Sequence, residues 1–298
     1  MSNLILRAEK IGKNYKDKEV LKELDLVLEP GKIYGLVGRN GAGKTTLLSI
    51  LSAQARASAG GVYLGDDPVW ENQQALNHIC FSRELGMAGT GANAAIMGLE
   101  AKDYLKLAAL FRPNWDQKMA ERLVKEFRLD VKQRLNKMSK GMLSMLTIIV
   151  AMASQAEYTF LDEPVSGLDV VAREQFYKLL LEEYTRTGRT FVVSTHIIEE
   201  AADVLEEVIV LKDGKIILKE NTCSLLQRAF YISGKKEEVE QAVQGLRIYH
   251  KETFGRSSSV VVLLEPGQKI GNRGNLDIQP VNLQKVFLAL CGKEDSDE

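Results

Sequence analysis

The stretch Gly38-Arg39-Asn40-Gly41-Ala42-Gly43-Lys44-Thr45 has the spacing G-x-x-x-x-G-K-[ST] of a phosphate-binding loop. Each residue type has a task. Gly38, Gly41 and Gly43 let the backbone coil so that successive N–H groups, including that of Asn40, point into one anion-sized concavity. Lys44 reaches the outer phosphates as a mobile point charge. The Thr45 hydroxyl is a hard oxygen ligand suited to Mg²⁺. Lys32 to Val37 has the pattern of a buried strand before the loop, and Thr46 to Leu51 begins a helix after it. That helix would turn the positive end of its dipole, at Thr46, toward the phosphates. A nucleoside triphosphate site follows from this stretch alone.

Composition sets the bounds. The chain has 298 residues, 45% of them hydrophobic and 27% charged, as in ordinary globular proteins. A net charge of −1 argues against a general nucleic-acid binder. Cys80, Cys223 and Cys291 lie far apart, which indicates neither a zinc site nor a disulfide framework. The N-terminus lacks the apolar region of a signal peptide. The most apolar run, Met142 to Ala153, is too short to span a bilayer, so a membrane role would require a partner chain.

Outward from the loop, Leu4 to Leu6 and Val20 to Leu28 read as strands, and Val62 to Gly65 as another. Helices are predicted over 100–112, from an Asp116 N-cap to about Arg128, and over 141–153. Glu157 to Leu161 and Thr190 to Ser194 read as strands buried on both faces, as in a parallel sheet. A helix over about 170–186 connects them. Val208 to Leu218 reads as a hairpin turning at Asp213-Gly214. After Cys223 the pattern becomes short helix, strand, helix, a strand from Val260 to Leu264, and a helix over 283–290.

A second motif narrows the choice among phosphate-loop proteins. The strand Tyr158-Thr159-Phe160-Leu161 ends in Asp162, whose carboxylate is placed to hold Mg²⁺. Glu163, one residue on, is placed to act as general base toward an attacking water.

With these in place, residues 3–222 resemble the ATP-binding subunit of ABC transporters. Ser166-Gly167-Leu168-Asp169 stands as the D-loop, and Ser194-Thr195-His196 puts His196 at the family's switch-histidine position, against the γ-phosphate. Met138-Ser139-Lys140-Gly141-Met142 stands at the signature motif. Tyr15 stands where an aromatic stacks on adenine. The usual signature is L-S-G-G-Q. Here Met138, Lys140 and Met142 replace the leucine, second glycine and glutamine, while Ser139 and Gly141 are kept. Glu84 stands at the Q-loop position in place of glutamine and remains a competent Mg²⁺ ligand. The Ser-Lys-Gly-Met form and Pro113-Asn114-Trp115-Asp116 resemble a bacterial exporter-type branch that includes ATPases of GntR-regulated operons.

The resemblance implies an α/β fold, the P-loop NTPase of ABC type: a mixed sheet core with an antiparallel β subdomain and a helical subdomain. It implies an ATPase domain over 1–223, with the helical subdomain at about 85–155. The residue pattern adds a small C-terminal α/β domain over 224–292, anchored by Val286, Phe287 and Leu290, and a disordered acidic tail over 293–298. ATP and Mg²⁺ are the implied cofactors: Tyr15, Gly38, Asn40, Gly41, Gly43, Lys44, Thr45 and Thr46 hold nucleotide, and Thr45, Glu84 and Asp162 hold metal. Ser139 and Gly141 would bind the nucleotide of a second subunit. Glu163, His196 and Lys44 would carry catalysis. The implied partners are a second ATPase subunit, identical or different, and an integral membrane permease on a separate chain. No nucleic-acid partner is expected, and the expected place is the cytoplasmic face of the cell membrane. A non-transport ABC ATPase and an ATP-dependent regulatory switch are the alternative readings.

Overall fold

The computed structural model describes residues 4–16, 18–85, 92–271 and 274–292. The chain runs through β1 (Leu6–Tyr15), β2 (Lys18–Leu28), β3 (Ile33–Val37), α1 (Lys44–Leu51), β4 (Ala59–Leu64), β5 (Asp67–Pro68), α2 (Gln73–Leu76) and β6 (Ile79–Arg83). Helices α3 (Ala92–Met97), α4 (Ala101–Leu110), α5 (Gln117–Glu126) and α6 (Lys140–Ala153) follow. Next come β7 (Tyr158–Asp162), α7 (Val170–Thr187), β8 (Thr190–Ser194), α8 (Ile198–Ala201), β9 (Glu207–Lys212) and β10 (Lys215–Asn221). The last part holds α9 (Thr222–Gln227), β11 (Ala229–Lys235), α10 (Lys236–Ala242), β12 (Ile248–Phe254), β13 (Ser257–Leu263), β14 (Asp277–Pro280) and α11 (Leu283–Cys291).

The central sheet has the order β10-β9-β3-β8-β7-β6, with β9, β3, β8, β7 and β6 parallel and β10 antiparallel at the edge. Every residue of β3, β7 and β8 is buried, which is why these strands are largely apolar and do not alternate. The turn between β9 and β10 has positive φ at both Asp213 and Gly214, the conformation that a tight hairpin requires. An antiparallel sheet of order β2-β1-β4-β5 packs against one face through Leu6, Leu21, Leu24 and Leu26.

The first strand is longer than the short apolar run at the N-terminus suggests. β1 extends through Arg7, Glu9 and Lys13 because it pairs on both edges, with β2 and β4. Its alternation is broken by register shifts around Ala8, Ile11 and Lys13, which hide the strand from a period-two reading. Asp116 caps α5 as predicted: its carboxylate accepts from the Met119 N–H at 2.9 Å.

The third sheet, β12-β13-β11-β14, is antiparallel throughout. It has its own small core of Ile232, Val239, Val243, Val260 and Val262. Helix α11 does not belong to that core. Val286 and Leu290 are buried in the main cluster with Ile198 and Leu205, and Phe287 packs against it. The acidic stretch 293–298 lies outside the described residues. Among the described residues, no helix is long and apolar enough to cross a membrane.

Candidate functional site

Sheet register assembles the site. Arg83 of β6 stands opposite Asp162 of β7, Asp162 opposite Ser194 of β8, and Ser194 opposite Leu36 of β3. The carboxyl ends of four parallel strands therefore lie in one row, the usual place for a ligand site in such a sheet. Whatever follows each strand converges there: the loop 38–45 after β3, Glu84 after β6, Glu163 after β7 and His196 after β8.

The loop is shaped around absent side chains. Gly43 has φ +109°, and a Cβ there would lie 2.8 Å from Leu21 Cδ2. An L side chain there would be strained in conformation and would have to push Leu21 aside. Helix α1 starts at Lys44 with no side-chain cap, so the N–H groups of its first turn remain available to an anion. Thr46 sits in that turn. Lys44 is only 7% exposed. Its ammonium donates to the Gly38 carbonyl at 2.8 Å and lies 3.8 Å from Glu163 Oε1.

Around this cation the side chains form a connected set. Thr45 Oγ1 donates to Asp162 Oδ2 at 2.7 Å, and Ser194 Oγ donates to Asp162 Oδ1 at 2.5 Å. The Glu163 N–H donates to the Ser194 carbonyl and to its hydroxyl, both at 3.1 Å. Glu163 has φ +49°, an uncommon conformation for a non-glycine residue. Its Oε2 lies 2.7 Å from His196 Nδ1. Glu84 meets the same space: with Thr45, Arg83, Leu85, Ile96, Met97 and Asp162 it lines a cavity of about 340 Å³.

Behind the set, burial pushes the Tyr177 phenol up, and the Glu200 and Glu163 charges add to it.

The other expected residues lie apart from this set. Tyr15 ends β1, about half exposed, with the Lys13 ammonium 4.8 Å from its ring centre. Its hairpin partner β2 flanks the loop, since the Val20 carbonyl oxygen lies within 3.3 Å of a Cβ built on Gly43. Ser139 is the N-cap of α6, its hydroxyl accepting from the Met142 N–H at 3.2 Å. Gly141 packs against the Gly167 carbonyl, 2.7 Å from an added Cβ. Among the described residues no hydrogen bond or ion pair joins Ser139 or Gly141 to residues 38–45.

Sequence reasoning missed Ser194. Its hydroxyl binds Asp162 and the Glu163 N–H together, and its one sequence signal is a polar residue closing an otherwise apolar strand.

A larger cavity, about 610 Å³, lies between Arg39 to Ala42, the β9–β10 turn (Leu211 to Asp213) and the end of α11 at Cys291 and Gly292. Lys212 donates to the Leu290 carbonyl at 3.2 Å, tying α11 to this shoulder. Burial pushes the Cys291 thiol up, and the Lys212 charge works against that shift.

The arrangement suits a triphosphate with a divalent ion. The uncapped helix start and buried ammonium match anionic oxygens, and Thr45, Asp162 and Glu84 offer hard oxygen donors to one small cavity.

Comparisons with known proteins bear on the fold and on ATP binding. The ABC transporter family matches residues 21–166. The chain is 28% identical to the Nod factor export ATP-binding protein I of Burkholderia orbicola (strain AU 1054) over 317 aligned positions, covering 96% of this chain and 97% of that protein. The protein of the same description from Paraburkholderia xenovorans (strain LB400) is 27% identical, with both chains covered in full. Among solved structures, the ATP-binding subunit of an ABC transporter matches with a TM-score of 0.64 and 22% identity, over 75% of this chain and 92% of that one. A dimeric ATP-binding cassette in a post-hydrolysis state, bound to ADP and Pi, matches with a TM-score of 0.63 and 23% identity, over 73% of this chain and 98% of that one. Residues 21–166 therefore carry an ABC transporter ATP-binding domain.

Proposed function

We propose that the chain is the ATP-hydrolysing subunit of an exporter, working in pairs and driving a separate membrane permease. The observation that carries the catalytic part is the linked set Thr45–Asp162–Ser194–Glu163–His196 beside the buried Lys44. Export is supported by the description of the full-length relatives as Nod factor export ATP-binding proteins.

In this reading the backbone of 38–45 and the Lys44 ammonium hold the phosphates, and Tyr15 stacks on the base. Thr45, Asp162 and Glu84 would hold Mg²⁺, which when bound neutralises charge on the outer phosphate oxygens. Glu163 takes the proton of the attacking water. His196, bonded to the Glu163 carboxylate, fixes its orientation and adds a donor toward the outer phosphate. Ser139 and Gly141 face the nucleotide of the second subunit. ATP favours the paired state only as far as it binds that state more tightly, and loss of the γ-phosphate removes that preference. Residues 1–223 form the ATPase domain and 224–292 an accessory domain.

The experiment is purification from membranes. Recovery of an integral membrane protein that raises ATP turnover supports the reading. Recovery of ribosomes without a membrane protein overturns it in favour of a non-transport ATPase.

A further inference from the structure

Two departures from the usual motif pattern, Glu84 just after β6 and Lys140 at the start of α6, meet in space. Lys140 Nζ lies 3.1 Å from Glu84 Oε2. Three observations make this contact more than a chance surface pair. Lys140 is the first residue of α6, where the helix dipole disfavours a cation, and the first turn holds no acidic residue to offset it. Glu84 supplies that anion from another element. The lysine stem is seated, because Gly167, at φ +80°, leaves the space it fills: a Cβ there would lie 2.7 Å from Lys140 Cγ. Finally, the pair divides the carboxylate. Oε2 is held by Lys140, while Oε1 has no partner among the described residues, and Glu84 lines the cavity shared with Thr45 and Asp162.

We infer that Lys140 is a positioning residue for Glu84, holding one carboxylate oxygen so that the other is presented to the Thr45–Asp162 cavity. The inference rests on the reading of Glu84 as a metal donor. A metal-binding carboxylate is commonly fixed by such an outer partner, whose loss weakens metal affinity on the order of 10-fold or more. Both side chains are about half exposed, so the pair adds little to stability. Its worth lies in restricting a side chain that would otherwise sample many rotamers.

The test is the Mg²⁺ concentration that half-saturates binding of a non-hydrolysable ATP analogue, read by fluorescence without turnover. Glu84→Ala raises it on the order of 10-fold, and Lys140→Ala raises it in the same direction. Lys140→Arg, which keeps a donor at this position, restores most of the loss. In the Glu84→Ala background, Lys140→Ala adds nothing further. All variants keep the wild-type melting temperature within a few degrees without nucleotide, which separates the effect from damage to α6. An unchanged Mg²⁺ requirement in Glu84→Ala removes the metal reading of Glu84, and this inference with it. If Glu84→Ala shifts the requirement, three results overturn the positioning role alone. Lys140→Ala could leave the requirement unchanged, lower it, or shift it by the same factor in both backgrounds.

Discussion

The strand ends around the phosphate loop and the start of α6 carry the same family resemblance, yet they are built differently. At the ends of β3, β7 and β8, Lys44, Thr45, Asp162, Glu163, Ser194 and His196 touch one another within a single chain. At the start of α6, the Ser139 hydroxyl caps its own helix, and neither Ser139 nor Gly141 bonds to the loop. The first region is preorganised by sheet register, which leaves little to rearrange when a ligand arrives. The second is a helix terminus presented outward, as expected of a surface that works on another molecule. Ligand binding and proton transfer should therefore be properties of one chain, and full turnover a property of two.

The largest effect should fall on the preorganised side. Glu163→Gln keeps the shape but cannot accept a proton, and should lower turnover by roughly 10²–10⁴-fold. Near-normal steady-state phosphate release would remove Glu163 from the general-base role.

Ser139→Ala tests the other side. A charge-assisted hydrogen bond is worth about 1.5–3 kcal/mol, so turnover should fall on the order of 10-fold to 100-fold. The affinity of dilute monomer for ATP should not change. Weakened binding in the monomer would show that Ser139 acts within its own chain, and the contrast between the two regions would collapse.

Ser194→Ala asks whether the preorganised set also supports the fold. It strips a donor from buried Asp162 and an acceptor from the Glu163 N–H, and should cost about 1–3 kcal/mol in urea unfolding. No loss would mean that these contacts are replaceable by water.

Val286→Ala is a smaller perturbation, removing two buried methyl groups worth ~0.8 kcal/mol each. Because Val286 lies in the main core, this change should lower the unfolding temperature of the ATP-binding part itself. A drop confined to a separate C-terminal transition would show that α11 is stabilised apart from that core. The same packing means that truncation at Thr222 also strips Leu283, Val286 and Leu290 from the main cluster.

The sequence made the central sheet and most of its site legible for a physical reason. Fully buried strands are largely apolar, so Asp162 at the end of β7 and His196 just past β8 stand out against them. The phosphate loop announces itself because glycine spacing is set by backbone conformation. The rest depends on contacts between distant segments. β12 reads Ile248-Tyr249-His250-Lys251-Glu252-Thr253-Phe254, with mostly exposed residues and no apolar face to detect. Its strand identity comes from pairing with β13. The amphipathic pattern of α11 marks a buried face but not its partner, which turned out to be the main core. The Glu84–Lys140 pair is equally invisible, since each residue taken alone is a charge at a loop edge.

The most direct test of the account separates binding from turnover in the linked set. Calorimetric titration with Mg-ATP should give Glu163→Gln an affinity within about threefold of wild type, since the variant loses a transition-state interaction and not a ground-state one. Lys44→Ala, measured alongside, should lose affinity on the order of 10-fold to 100-fold with its charge-assisted bonds. Equal loss of affinity in both variants, or none in Lys44→Ala, would contradict the assignment of this set as the ATP-hydrolysing site.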